Sequence, residues 1–295
     1  MMTERMPPHA ARDLRVVRDE TVTRLARAGV PDPEVDAELL IGHVLGLSRG
    51  GVQARLVMGG ELSDADAAVL EPLVVRRAAR EPLQHLTGRA AFRSLDLAVG
   101  PGVFVPRPET EQVVQLAIDA LHATAEPEPV AVDLGSGSGA IALAMATEVP
   151  QARVWAVENS PEAFPWTHRN VDEVGAPNLE LVFDDLATAL PELDGRAAVV
   201  ISNPPYVPAG EIPRDPEVHL HDPAAALYGG RDGLDVIRVI SRRAARLLHP
   251  GGVLVLEHAE LQSAPIAALL AADGWRAIAH HRDFTMRDRA TTALR

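Results

Sequence analysis

Apolar positions recur at two different periods along this chain, and the change from one to the other divides it. From residue 12 to 89 the spacing is helical. In RDLRVVRDETVTRLARAG, Leu14, Val17, Val22 and Leu25 return to one face, and Gly29 offers a stop. In DPEVDAELLIGHVLGL, Asp32 stands where an N-cap belongs. Pro33 follows at the first helical position, where its missing N–H is no loss. A third helix is predicted to open at Ser63 and run through AAVLEPLVVRRAARE to Pro82. No period-two alternation interrupts this region, so it reads as a small helical bundle.

Between about 90 and 108 the period shortens. FRSLDLAVGPGVFVP alternates Phe92, Leu95, Leu97 and Val99 before Gly100-Pro101-Gly102, which predicts a hairpin or an extended linker. Strands and helices then alternate. Helix EQVVQLAIDALHA precedes strand PVAVDLG, helix GAIALAMATEV, strand ARVWAVE and a helix over 161–174, in which Pro165 predicts a kink or a late start. Strands LELVF and AAVVISN, a helix over 232–248, strand GGVLVLEH, a helix over 261–272 and two short strands complete the chain. Short apolar strands between amphipathic helices predict a mainly parallel sheet covered on both faces. The expected domains are helical over 1–89, a β-hairpin linker over 90–108, and α/β over 109–295.

Composition narrows the chemistry. The chain has no cysteine, which excludes disulfides, zinc–thiolate sites and a cysteine nucleophile. The net charge is −13, and every basic residue is arginine. Residues 1–90 carry a net −1 and residues 91–295 a net −12. So acidic a second half disfavours a nucleic-acid substrate, whose phosphates bind through cations. The start, MMTERMPPHAARDLRVVRDE, is charged throughout and lacks the apolar core of a secretory signal, and no apolar run approaches a membrane span. A cytoplasmic protein is expected.

VDLGSGSGAIALA places Gly135, Gly137 and Gly139 between a strand and a helix, where the backbone can turn tightly and approach a ligand. Glu158 ends the next strand, where a carboxylate meets the hydroxyl pair of a ribose. Both features fit a nicotinamide dinucleotide and S-adenosylmethionine alike.

VVISNPPYVP separates the two. The nitrogen of a carboxamide, or of adenine's exocyclic amine, has its lone pair delocalised and is a poor nucleophile. Acceptors on both its N–H groups would hold it in line with a methyl donor and stabilise the positive charge that develops there. Asn203 offers a side-chain carbonyl and Pro204 a backbone one. The tandem prolines fix φ and pre-aim that carbonyl. Tyr206 can stack on the planar group. Other chemistry is thin: His219 and His221 read as a solvated loop without a matching metal-ligand array, and RDGLD as a helix start capped by Asp232.

With DLGSGSG, Glu158 and NPPY in place, the chain resembles a class I S-adenosylmethionine-dependent amino-methyltransferase. REPLQHLTGRAAFRSLDLAVGPGVFVPRPETE, VISNPPYVP, LYGGRDGLDVIRVI and LVLEHAE extend this to a resemblance to the HemK/PrmC enzymes along nearly the whole chain. Those enzymes methylate the side-chain amide nitrogen (N5) of the glutamine in the Gly-Gly-Gln motif of class I peptide chain release factors. The resemblance implies a Rossmann-like, seven-stranded mainly parallel sheet behind a helical domain that recognises the release factor. It implies that Gly135, Ser136, Gly137, Ser138 and Gly139 border the methionine and ribose of S-adenosylmethionine. Glu158 would take the ribose hydroxyls, and Asp185 and Leu186 would lie beside the adenine. Asn203, which would also border the cofactor, and Pro204 would accept the substrate amide's hydrogens, while Pro205 and Tyr206 shape its slot. Phe104, Arg107 and Glu109 would sit near the cofactor mouth; for Arg107 and Glu109 the alternative is a hinge held by an ion pair. Some relatives carry an aromatic residue where Leu186 stands. The rival substrates are adenine N6 in nucleic acid and a ribosomal-protein glutamine; a dehydrogenase-like nucleotide binder is the rival class.

Overall fold

The computed structural model describes residues 11–295; the first ten residues of the charged N-terminus lie outside them. Two compact units emerge. One comprises the described residues up to Gly88 joined by Asp215–His221, and the other comprises Arg89–Arg214 and Asp222–Arg295.

In the first unit a two-residue strand β1 (Arg12–Asp13) leads into α1 (Leu14–Arg27), followed by α2 (Pro33–Leu45) and α3 (Arg49–Val57). Strand β2 (Glu61–Leu62) pairs antiparallel with β1 and precedes α4 (Asp64–Ala78) and the single turn α5 (Leu83–Thr87). Helix α1 buries Leu14, Val17, Thr21 and Leu25, the helical period expected, with Val22 at the edge of the core. Asp32 does precede α2, but its side chain makes no capping bond. Ser63 caps α4 by accepting the N–H of Asp66 at 3.1 Å. Helix α3 was not expected from the pattern. Its first turn is Arg49-Gly50-Gly51, glycines that argue for a loop, and the Ser48 hydroxyl overrides them by accepting the N–H of Gly51 at 3.2 Å. Arg77, almost wholly buried, bonds Asp36 at 2.6 Å and Glu217 at 2.7 Å, so a chain excursion far along the sequence is anchored inside the helical unit.

In the second unit β3 (Arg89–Phe92) and β4 (Leu95–Ala98) form the expected hairpin. Then come α6 (Pro108–Ala123), β5 (Val130–Leu134), α7 (Ala140–Glu148), β6 (Arg153–Glu158), α8 (Phe164–Val174), β7 (Leu179–Phe183) and β8 (Ala197–Ser202). The excursion helix α9 (Pro216–His221) belongs to the first unit. The short α10 (Ala224–Leu227), α11 (Asp235–Leu247), β9 (Leu248–Glu257), α12 (Ser263–Ala272), β10 (Arg276–Arg282) and β11 (Asp288–Leu294) complete the fold. The sheet order is β10-β11-β9-β8-β5-β6-β7, parallel except where β11 runs against both neighbours. Alternation along each strand divides the core. Ala131, Val199, Ile201 and Val255 meet α6 and α7 on one face, and Val132, Leu134, Val200 and Leu254 meet α11 on the other.

Pro165 sits in the first turn of α8, so of the two outcomes expected for it the late start is the one found. Two local expectations are corrected. Asp232 does not cap α11; Leu234 holds the cap position, and Asp232 closes the preceding turn by accepting the Leu234 N–H at 3.1 Å. His219 and His221 lie on α9, not on a loop.

Candidate active site

Parallel sheets bind ligands where the strand order reverses, because the chain leaves two neighbouring strands in opposite directions and opens a crevice at their carboxyl ends. Here that point lies between β5 and β8. The glycine loop leaves one strand and Asn203-Pro204-Pro205-Tyr206 leaves the other. The Ser202 hydroxyl, fully buried, donates to the Leu134 carbonyl at 2.5 Å and locks the two strand ends together.

Gly135, Gly137 and Gly139 have φ of +79°, +57° and +83°, values that side-chain-bearing residues avoid. The N–H groups of Gly135 and Ser136 both donate to the Val157 carbonyl at 2.9 Å, which pulls the loop against β6. Helix α8 braces it from below. Thr167 donates to the Gly137 carbonyl at 2.5 Å, and Asn170 donates to the carbonyls of Ser138 and Ala98 at 2.9 Å each. The Glu158 carboxylate, 7% exposed, accepts the N–H groups of Gly137, Asn159 and Ser160 at 2.7, 3.0 and 2.8 Å.

Two buried oxygens here, Ser136 Oγ in the loop and Asp133 Oδ1 near the end of β5, have no hydrogen-bond partner. Burial pushes the Asp133 carboxyl up to about 8, despite the Ala142 N–H it accepts, and nearby Glu158 adds to the rise. Unmet buried polar atoms beside a carboxylate and a glycine turn fit a nucleoside carrying a polar tail. They fit S-adenosylmethionine. Asp185 and Leu186 follow β7, whose last residue pairs with Glu158. Asp185 is exposed and its carboxylate accepts the Ala187 N–H at 2.8 Å, while Leu186 is half-buried against the core of the α11 face.

The NPPY segment is shaped by close backbone packing. Val207 donates to the Leu227 carbonyl at 2.8 Å, Gly229 donates to the Val207 carbonyl at 2.9 Å, and Gln262 donates to the Tyr206 carbonyl at 2.8 Å. A Cβ on Gly229 would lie 2.4 Å from the Pro205 carbonyl oxygen, and one on Gly233 only 2.2 Å from that of Tyr206. Gly229 and Gly233 are glycines because NPPY occupies the space of their side chains, while a Cβ on Gly230 would run into Asp235. Asn203 is half-buried, and its Nδ2 donates to Thr110 Oγ1 at 3.4 Å. Burial pushes the Tyr206 phenol up to about 12, with the Glu257 charge adding to it, so it stays protonated and can shape a slot without acting as a base.

Arg107 stacks its guanidinium over Phe104 at 4.9 Å and pairs with Asp222 at 2.7 Å, so its ionic partner is Asp222 rather than Glu109. Glu109 lies in the first turn of α6, and its charge reaches Tyr206 and Glu257. Sequence reasoning did not single out Asp133, Thr167, Asn170, Thr110, Glu257 or Gln262. The glycines of LYGGRDGLD, which permit close approach, could have pointed toward one of them, Gln262, whose Nε2 lies 2.6 Å from where a Cβ on Gly233 would sit.

Residues 17–88 match the PrmC N-terminal domain family and residues 94–215 the methyltransferase small domain family. The release factor glutamine methyltransferase of Streptomyces coelicolor is 50% identical over 93% of this chain and 95% of its own. That of Bifidobacterium longum is 46% identical over 94% of this chain and 97% of its own. A 4-amino-L-phenylalanine/4-methylamino-L-phenylalanine methyltransferase of Streptomyces pristinaespiralis is 39% identical over 97% of this chain and 96% of its own. Among the described residues no helix is long and apolar enough to cross a membrane, and no three metal-ligating side chains converge.

Proposed function

This chain belongs to the release factor glutamine methyltransferase family, and from that premise we propose that it methylates the side-chain N5 of the glutamine in the Gly-Gly-Gln motif of class I release factors. S-adenosylmethionine supplies an electrophilic methyl carbon on sulfur. The observation that carries the reading is the meeting of the glycine loop and NPPY on neighbouring strand ends, tied by Ser202. Glu158 would hold the ribose hydroxyls, and Gly135, Ser136, Gly137, Ser138 and Gly139 the methionine end. Asp185 and Leu186 would border the adenine.

Asn203 Oδ1 and the Pro204 carbonyl would accept the two amide hydrogens and aim the nitrogen lone pair at the methyl carbon. Pro205 and Tyr206 would flank the planar group. Held this way, the nitrogen would take the methyl carbon as its bond to sulfur broke, and it would then give one of its two protons to water. Phe104 and Arg107 would border the cofactor mouth. The helical unit would recognise the release factor, and the reaction would run in the cytoplasm.

The test is incubation with labelled S-adenosylmethionine and, separately, release factor, ribosomal protein, DNA or 4-amino-L-phenylalanine; the last arm reflects the Streptomyces pristinaespiralis relative. Label on the release-factor glutamine supports the proposal, and label only in another arm overturns it. Asn203→Ala should lose about a hundredfold or more in transfer rate, while S-adenosylhomocysteine affinity changes by no more than about threefold.

A further inference from the structure

A carboxamide has two nearly identical ends, and only one of them is useful here. If Asn203 turned its NH₂ toward the substrate amide, donor would face donor. Something must decide which way it points. In the structure Asn203 Nδ2 donates to Thr110 Oγ1 at 3.4 Å. Thr110 is 4% exposed, and its hydroxyl lies where it favours the ionised form of the Glu257 carboxyl, itself 2% exposed. A hydroxyl has one proton. When Glu257 is ionised it can only accept, so that proton turns toward it and Thr110 offers Asn203 a lone pair.

We propose that Thr110 and Glu257 are positioning residues that fix the orientation of the Asn203 carboxamide, so that its oxygen is kept for the substrate nitrogen. This rests on the reading of Asn203 given above. The elements favour such a chain. Thr110 is in the first turn of α6, which packs on β8 and β9, while Glu257 ends β9 beside the end of β8, where Ser202 pairs with Leu256. Glu257 Oε2 has no partner of its own. A carboxyl with one oxygen unpaired is a costly group to bury even with the Arg289 charge nearby, and a role in orienting Asn203 gives it a reason to be there.

The test uses the full chain with its protein substrate. Thr110→Val, nearly isosteric, removes the acceptor and should lower kcat about ten- to hundredfold, the range for a residue that supports a directly contacting one. KM for S-adenosylmethionine and S-adenosylhomocysteine affinity should stay within about twofold. Thr110→Ser, which keeps the hydroxyl, should recover kcat to within about threefold of the parent. Glu257→Met, which fills the space and frees the Thr110 proton, should lower kcat about tenfold with Thr110 intact and folding retained. Full kcat in a folded Thr110→Val or Glu257→Met protein, or equal losses of kcat and cofactor affinity, would overturn the relay. Full activity in Asn203→Ala would instead overturn the reading of the site itself.

Discussion

The two loops at the carboxyl ends of β5 and β8 stand side by side and are built by opposite means. The glycine loop is a backbone device. Its shape comes from positive φ at Gly135, Gly137 and Gly139, and its support from main-chain bonds to Val157 and two side chains of α8. The NPPY loop is a rigid side-chain platform. Two prolines remove its freedom, and an arc of other glycines, Gly229 and Gly233, leaves it room. The difference follows from what each would hold. A nucleoside with a polar tail is met by N–H and C=O groups at close range, which demands missing side chains. A single planar amide needs two fixed acceptors, which demands that one side chain be held still.

Several substitutions would break this contrast if it is wrong. The largest effect is expected for Gly233→Ala. The new Cβ would lie 2.2 Å from the Tyr206 carbonyl oxygen, a backbone atom, and φ of +75° is strained for alanine. Transfer should fall by about a hundredfold or more, as a displaced catalytic group does, while S-adenosylhomocysteine still binds. Equal loss of cofactor affinity in calorimetry would show the two loops to be one unit.

Asn170→Ala should act on the other side of the contrast. It strands the Ala98 N–H and the carbonyls of Ala98 and Ser138 in a buried place, costing about 2–3 kcal/mol of stability. It should also weaken cofactor binding more than it slows transfer at saturating cofactor. A melt within a degree of the parent would contradict this.

A smaller effect concerns pH. The carboxyls of Asp133 and Glu257 are raised to about 8 and about 7 by burial. Both hold their protons more tightly when folded than unfolded. Their contribution is therefore full below their ordinary carboxylate range and is lost as pH rises through about 7 and then about 8. Asp133→Asn should flatten the decline in denaturation midpoint between pH 5 and 8. An unchanged slope in the variant would mean that Asp133 is not the group responsible.

Much of this arrangement was legible in the residues. Gly135 to Gly139, Glu158, Asn203 and Pro204 could be named because each announces its chemistry locally, as a glycine run, a strand-end acid or a tandem proline. The hairpin and the alternating strands and helices were legible because period two and period 3.6 differ over a few residues. Helix α3 was not, since Gly50-Gly51 outweighs a nine-residue pattern and the Ser48 cap is worth too little to see in advance. Arg107 lies only two residues from Glu109, yet its ionic partner is Asp222, more than a hundred positions away.

Sequence by itself determined most of the longer elements, the two loops and the chemical groups they carry, because those depend on neighbours a few residues apart. Tertiary structure alone decided that Thr110 meets Asn203, that Asn170 supports Ser138, and that Arg77 holds both Asp36 and Glu217. Each of these contacts joins residues that are distant in the chain. Its energy becomes available only after the sheet and helices have assembled, and no local pattern encodes it.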